Sequence, residues 1–298
     1  MNFFKHHLWA VVTLGLVVSF ILPAIGILIS PFLHPLFMFL MFLSTLSIDL
    51  SALVKDAHHP KKSLIVLLII HLLSPFVVFL CKPLFSQEIY LGLIIATSVP
   101  CGISGVFLTH LFKGDTTHAL FTTSLSNIIS PLILPLSILL FARTEISIHP
   151  LQMALTTIKL IFIPAICAHY MSRTSWKARF EKRSTDMMLI SLLLIIIGII
   201  SPVRSYLTDN ILLTLTLCAF VGTLISLDFY LGYSVGGHTS EKIAYGITAS
   251  FKNFALATLL ALSYFNGVVA LPAITYTIMT SLLLIPMQWF IEGKHLSR

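Results

Sequence analysis

Ten apolar runs follow one another along the chain, joined by short polar stretches: residues 8–29, 36–53, 63–80, 89–112, 116–141, 151–170, 187–201, 211–233, 243–264 and 268–290. Hydrocarbon offers backbone N–H and C=O groups no water, so a segment about 20 residues long and this apolar spans as a helix. Only 10% of the residues are charged and mean hydropathy is +0.99, whereas a soluble domain carries about 25% charge. The class is therefore an all-α polytopic membrane protein with ten transmembrane helices. MNFFKHH leads into the first run without a following A-x-A pattern, which predicts a membrane helix rather than a cleaved leader. Cys81, Cys101, Cys167 and Cys218 lack CxxC spacing, so neither a disulfide framework nor a metal site is indicated. No cofactor motif appears, and the formal charge of +7 is spread over joints rather than one soluble face, against a nucleic-acid partner.

Two runs are interrupted in mid-membrane. The stretch 246–257, GITASFKNFALA, carries Lys252 and Asn253 at its centre. A lysine at that depth costs about 3 kcal/mol on insertion scales, so it faces a cavity or a partner. The run 89–112 carries Pro100-Cys101-Gly102 at its midpoint, where proline removes a helical hydrogen bond and glycine loosens the next turn. Sliding residues 97–135 onto 248–286 matches eight of 39 positions, among them Thr97/Thr248, Ser130/Ser281 and Pro135/Pro286, and lays one interruption on the other. Five helices per copy predict two inverted repeats whose broken helices, the fourth and ninth, cross; paired interruptions of this kind mark a transporter's binding site.

Orientation follows from loop charge. With the N-terminus inside, thirteen Lys and Arg fall on the inner side and only Lys82, Arg143 and Arg204 on the outer, a positive-inside bias that puts both termini in the cytoplasm of a cell (inner) membrane. The inner set includes the basic stretch SRTSWKARFEKRSTD, 172–186, read as a long charged loop.

VPCGISGVFLTHLFKGDTTHALFTTSLSNIISPLILP, 99–135, resembles the fourth and fifth helices of the bile acid:sodium symporter family, and KNFALATLLAL, 252–262, resembles its ninth-helix Gln-Asn-x-Gly-Leu-Ala segment. TLSIDL and HHPKK, before the third helix, are similar to family features as well. The resemblance implies a core subdomain (about 63–141 and 211–291), a panel subdomain (about 8–53 and 151–206), and organic anions bound between them. It also implies sodium ligands that are largely missing here. Positions matching one sodium site hold Gly105, Val106, Ala119 and Thr123; the shared ninth-helix acid is Thr248, its glutamine is Lys252, and a third-helix glutamine falls on Ile70, beside His71. A hard cation takes several oxygen ligands, so familiar sodium coupling is not expected.

The favoured reading is a secondary-active carrier of a small organic anion, not an enzyme, working by alternating access without sodium or with protons. Asn253, Gly102, Ser104, Cys101 and Asn127 are the candidate substrate residues, the first three because half-helix N-termini attract anions. Lys252, Thr248, Thr123 and His71 mark the equivalent of the cation site. Lys252 supplies a tethered charge where sodium would sit, or exchanges a proton during the cycle, or simply pairs with Asp228, the lone acid within the eighth helix. Ser124, Ser126, Asn127 and Ser130 line a polar path or serve tight packing. Two alternatives stand beside this reading: an arsenite-type efflux carrier using Cys101, and a membrane-embedded enzyme or sensor, for which no HExxH, GxSxG or paired acids are found.

Overall fold

A computed structural model describes residues 8–46, 60–102, 104–142 and 150–296, and among them every regular element is helical. In chain order these are α1 (Leu8–Ile21), α2 (Pro23–Ile29), α3 (Leu33–Leu46), α4 (Pro60–Leu68), α5 (Ser74–Leu80), α6 (Gln87–Ser98), α7 (Ser104–Leu111), α8 (Thr116–Phe141), α9 (Pro150–Met171), α10 (Lys177–Ile200), α11 (Arg204–Asp209), α12 (Ile211–Val235), α13 (Thr239–Ser250), α14 (Phe254–Tyr264) and α15 (Gly267–Leu296). A π-helical turn, Ile69–Leu73, joins α4 to α5. Seven of the described helices, counting joined pieces as one, are long and apolar enough to cross a bilayer, and Ala10–Ile21 and Phe254–Tyr264 are shorter apolar helices. Leucines and isoleucines such as Leu28, Leu132, Leu151 and Leu212 stand outward, as a lipid-facing surface requires.

Two boundaries differ from the expectation. The first helix stops at Ile21 rather than residue 29, and the chain from Pro23 to Leu46 runs on as one span through a 3-10 turn at Ser30–Phe32. The residue before a proline is pushed out of the α region, and Leu22, at φ −124° and ψ 58°, is the break. The charged stretch 172–186 is mostly not a loop. Helix α10 begins at Lys177, because Lys-Ala-Arg-Phe-Glu-Lys-Arg is built of good helix formers and Lys177 pairs with Glu181 one turn on, at 3.4 Å. The family-like SIDL and the histidines of HHPKK lie outside the described residues.

The described helices form two sets of neighbours, which also meet each other where α8 packs on α9. In one, α3 packs on α9 and α10, while α1 and α2 lie along α10. In the other, α12 packs on α13 and α15, and α6 is held among α5, α8 and α15. The two interrupted helices belong to the second group. Their interruptions are its centre.

Candidate functional site

Helix α6 ends at Ser98 and the chain turns extended at Val99 (ψ 155°) before α7 begins at Ser104. Helix α13 ends at Ser250, with Phe251 extended, and α14 begins at Phe254. The two gaps pair with each other as a short antiparallel bridge: Gly102 N–H donates to Phe251 O at 2.8 Å and Asn253 N–H to Pro100 O at 2.7 Å. Glycine is needed at 102, since a Cβ there would sit 2.9 Å from the Lys252 carbonyl oxygen. The bridge satisfies backbone groups that hydrocarbon could not.

Some carbonyls are still left over, and the sequence explains which. In the π turn Ser74 N–H bonds back to Ile69 O, five residues earlier. The next donor in that series would be residue 75, but proline has no N–H, so Ile70 O is left without its partner. At the end of α6 the amide of Cys101 goes to Ser126 Oγ (3.1 Å), which frees the Thr97 carbonyl. Lys252 fills both vacancies: its Nζ donates to Thr97 O at 2.8 Å and Ile70 O at 3.3 Å, and to Ser74 Oγ at 2.9 Å. Asp228 of α12 lies 3.3 Å away, and both side chains are almost fully buried. The ammonium therefore sits on a C-terminal carbonyl of α6, where the helix dipole favours a cation, and on a mid-span carbonyl that Pro75 leaves free.

His71, on the π turn, ties the same break from the other side. Its Nδ1 is 3.2 Å from Ser98 O and its Nε2 2.9 Å from Ser126 Oγ. A carbonyl only accepts, so Nδ1 carries the proton, and Ser126 donates to Nε2 while accepting from Cys101 N–H.

Between the two helix groups lies a cavity of about 260 Å³. Gly102, Ser104 and Asn253 line it beside the bridge; Met41, Met188, Leu192, Ile195, Ile199 and Leu284 supply apolar wall, with the hydroxyls of Thr277 and Ser281 among them. Asn253 caps α14 by accepting Leu256 N–H at its Oδ1 (3.2 Å), and its Nδ2 has only the Met41 sulfur at 3.9 Å. The backbone of Lys252 borders this space, but its ammonium is turned into the protein. Cys101 is completely buried, and neither it nor Asn127 lines the cavity; Asn127 Nδ2 bonds to Thr123 O on its own helix. Thr248 likewise bonds to Ala244 O one turn back, and the buried Thr123 hydroxyl faces the Cys101 thiol.

A second polar centre escaped the sequence reading. Glu241, at the start of α13, is buried and accepts from Lys62 (2.7 Å) and Gly237 N–H (2.7 Å), with His238 at 3.3 Å and His118 at 3.6 Å; His118 also meets Asp115 at 2.9 Å. Burial alone would raise the Glu241 carboxyl, but the Lys62 and Gly237 hydrogen bonds, with the charges of Lys62 and His238, hold it down to about 2. This clasp joins the N-terminal ends of α4, α8 and α13. The available signal was an acid just after Gly236-Gly237-His238, which by itself reads as a solvated joint.

The chain is 24% identical over 271 residues to the uncharacterized protein YbaS of Bacillus subtilis (strain 168), covering 84% of this chain and 87% of that one. It is 24% identical over 200 residues to the uncharacterized sodium-dependent transporter YocS of the same organism, covering 64% of this chain and 60% of that one. A family model described as the sodium bile acid symporter family matches residues 34–212, more than half the chain. Members of that family are membrane transporters of small molecules rather than enzymes. On this match the chain belongs to the sodium bile acid symporter family.

Proposed function

We propose that the protein is a sodium-independent carrier for a small amphipathic monoanion, working by alternating access between a core (helices within about 63–141 and 211–291) and a panel (within about 8–53 and 151–206). The observation that carries this reading is the position of Lys252. Its ammonium occupies the carbonyls and hydroxyl beside the crossover that a bound cation would otherwise use, and Asp228 balances its charge. Thr248, in the place of the shared acid, has its hydroxyl engaged within its own helix.

The substrate class follows from the cavity. No charged side chain other than Lys252 is among its lining residues, and that one is turned away. A single anionic group suits the first turns of α7 and α14 and the Asn253 Nδ2 donor, whereas the rest of the lining, mostly apolar with hydroxyls such as Thr277 and Ser281, offers a second charge no cation. At about 260 Å³ the space is below the ~300–1,000 Å³ of drug-sized sites, which favours a compact ligand. With Cys101 buried outside the lining, the metalloid alternative has no thiol in the cavity among the described residues.

The ten-crossing, inverted-repeat reading draws support from the bridge itself. Gly102 N–H to Phe251 O and Asn253 N–H to Pro100 O exchange places under the 151-residue offset, as a two-fold axis in the membrane plane requires. Proton coupling remains part of the proposal, with His71 and the Lys252–Asp228 pair as the groups concerned. The test is uptake of radiolabelled short-chain mono- and dicarboxylates into proteoliposomes, with sodium and proton gradients imposed separately. Monocarboxylate uptake indifferent to sodium is expected; uptake driven only by a sodium gradient, or preference for dianions, would overturn the reading.

A further inference from the structure

The joint between α9 and α10 is a built feature with no part in the transport site. The turn is closed by Ser172 N–H to Ala168 O, Arg173 N–H to Tyr170 O and Thr174 N–H to Met171 O, and Thr174 Oγ1 receives Trp176 N–H. Phe180 meets Phe42 of α3 edge to face at 6.0 Å, which fixes the first turns of α10 against a neighbour. Five cations stand within eleven residues. Lys177 is used by Glu181, but Arg173, Arg179, Lys182 and Arg183 are exposed, and none has a carboxylate within ion-pair distance among the described residues. Arg179 lies over the Trp176 ring at 4.7 Å; Trp176 is 53% exposed and Tyr170 66%.

We propose that this turn binds the phosphate headgroup of an anionic phospholipid, in the leaflet on its own side of the membrane (cytoplasmic in the orientation proposed above). The joint links the ends of two apolar helices, so it lies at the boundary between hydrocarbon and water. There, exposed Trp and Tyr rings seat among headgroups, and clustered basic residues gain from anionic lipid. A free phosphate would use the cations but leave the two aromatic rings in water, which favours the lipid as occupant. Arginine suits the site because its planar fork takes phosphate oxygens two at a time.

The consequence is mechanical. Two residues beyond Arg183, the same helix supplies Thr185, then Met188 and Leu189, to the cavity. A bound headgroup holds this helix group to the bilayer surface while the group carrying the crossover moves past it.

The test uses the full chain in nanodiscs made of phosphatidylglycerol or of phosphatidylcholine, comparing wild type with the triple variant Arg179→Gln, Lys182→Gln, Arg183→Gln. Lipid retained after detergent extraction is counted by native mass spectrometry, and the melting temperature is measured in parallel. Wild type should retain phosphatidylglycerol at least about tenfold better than the variant, with no such difference for phosphatidylcholine. Lys177→Gln, which removes a cation already paired, should behave as wild type and controls for mere loss of charge. Equal retention by wild type and triple variant would overturn the proposal. So would stabilisation by free glycerol phosphate equal to that by the lipid. Neither readout involves transport, so failure here leaves the carrier reading untouched.

Discussion

Lys252 Nζ and Asp228 Oδ2 lie 3.3 Å apart, and the Ser74 hydroxyl is bonded to both, accepting from the lysine at 2.9 Å and donating to the aspartate at 3.0 Å. Removing one charge leaves the other buried and uncompensated. Lys252→Met should therefore cost about 3–5 kcal/mol of stability. Adding Asp228→Asn should recover most of that loss while leaving transport inactive, because Thr97 O and Ile70 O still lack their donor. Melting temperature and uptake measured on both variants decide it: wild-type transport in Lys252→Met, or recovered transport in the double variant, would refute the hub role.

Exchanging sodium for potassium at constant ionic strength should leave the melting temperature unchanged. A specifically bound ion stabilises by mass action, and the tethered ammonium leaves sodium nothing to gain. A sodium-selective upward shift would count against the proposal. Lys252→Gln with Thr248→Glu installs the glutamine and acid that the family resemblance implies at these positions, and any sodium dependence it acquires would be read in the same assay.

Asn253→Asp separates two jobs of one side chain. Aspartate caps α14 as well as asparagine does, so stability should change by less than about 1 kcal/mol. It removes the Nδ2 donor and puts a negative charge in the cavity beside the bridge, so anion uptake should fall by at least about tenfold. Uptake that survives would place the anion elsewhere.

The Glu241 clasp gives a pH signature. Its carboxyl, held down to about 2 from an ordinary 4.5, contributes stability that is complete above pH 4.5 and lost as pH falls toward 2. The full contribution is on the order of 3 kcal/mol. Wild type should lose melting temperature through that window, and Glu241→Gln should begin lower and lose less. Parallel curves for the two proteins would show that the clasp contributes nothing.

Much of this was legible because hydrophobicity and proline act locally. The Lys252 and Pro100 interruptions, and the 151-residue register that pairs them, can be read from residues that are out of place in hydrocarbon. The structural consequence of Pro75 was not: that it orphans Ile70 O depends on the π turn before it, and periodicity does not reveal which turn is π. Ser74 and Ser126 read equally well as small packing residues until their partners, 154 and 55 residues away, are known. The early start of α10 was hidden by its charge, since a hydropathy reading begins a membrane helix only where the charges stop.

The bridge between Gly102 and Phe251, and between Pro100 and Asn253, is made by main-chain atoms alone. Apart from the demand for glycine at 102, such bonds are indifferent to which side chains the two gaps carry. The chain can therefore change its ligands at the crossover one substitution at a time without dismantling the crossover itself. A scaffold of that kind is evolvable: side chains beside it, such as those at 248 and 252, can be exchanged while the architecture is inherited unchanged.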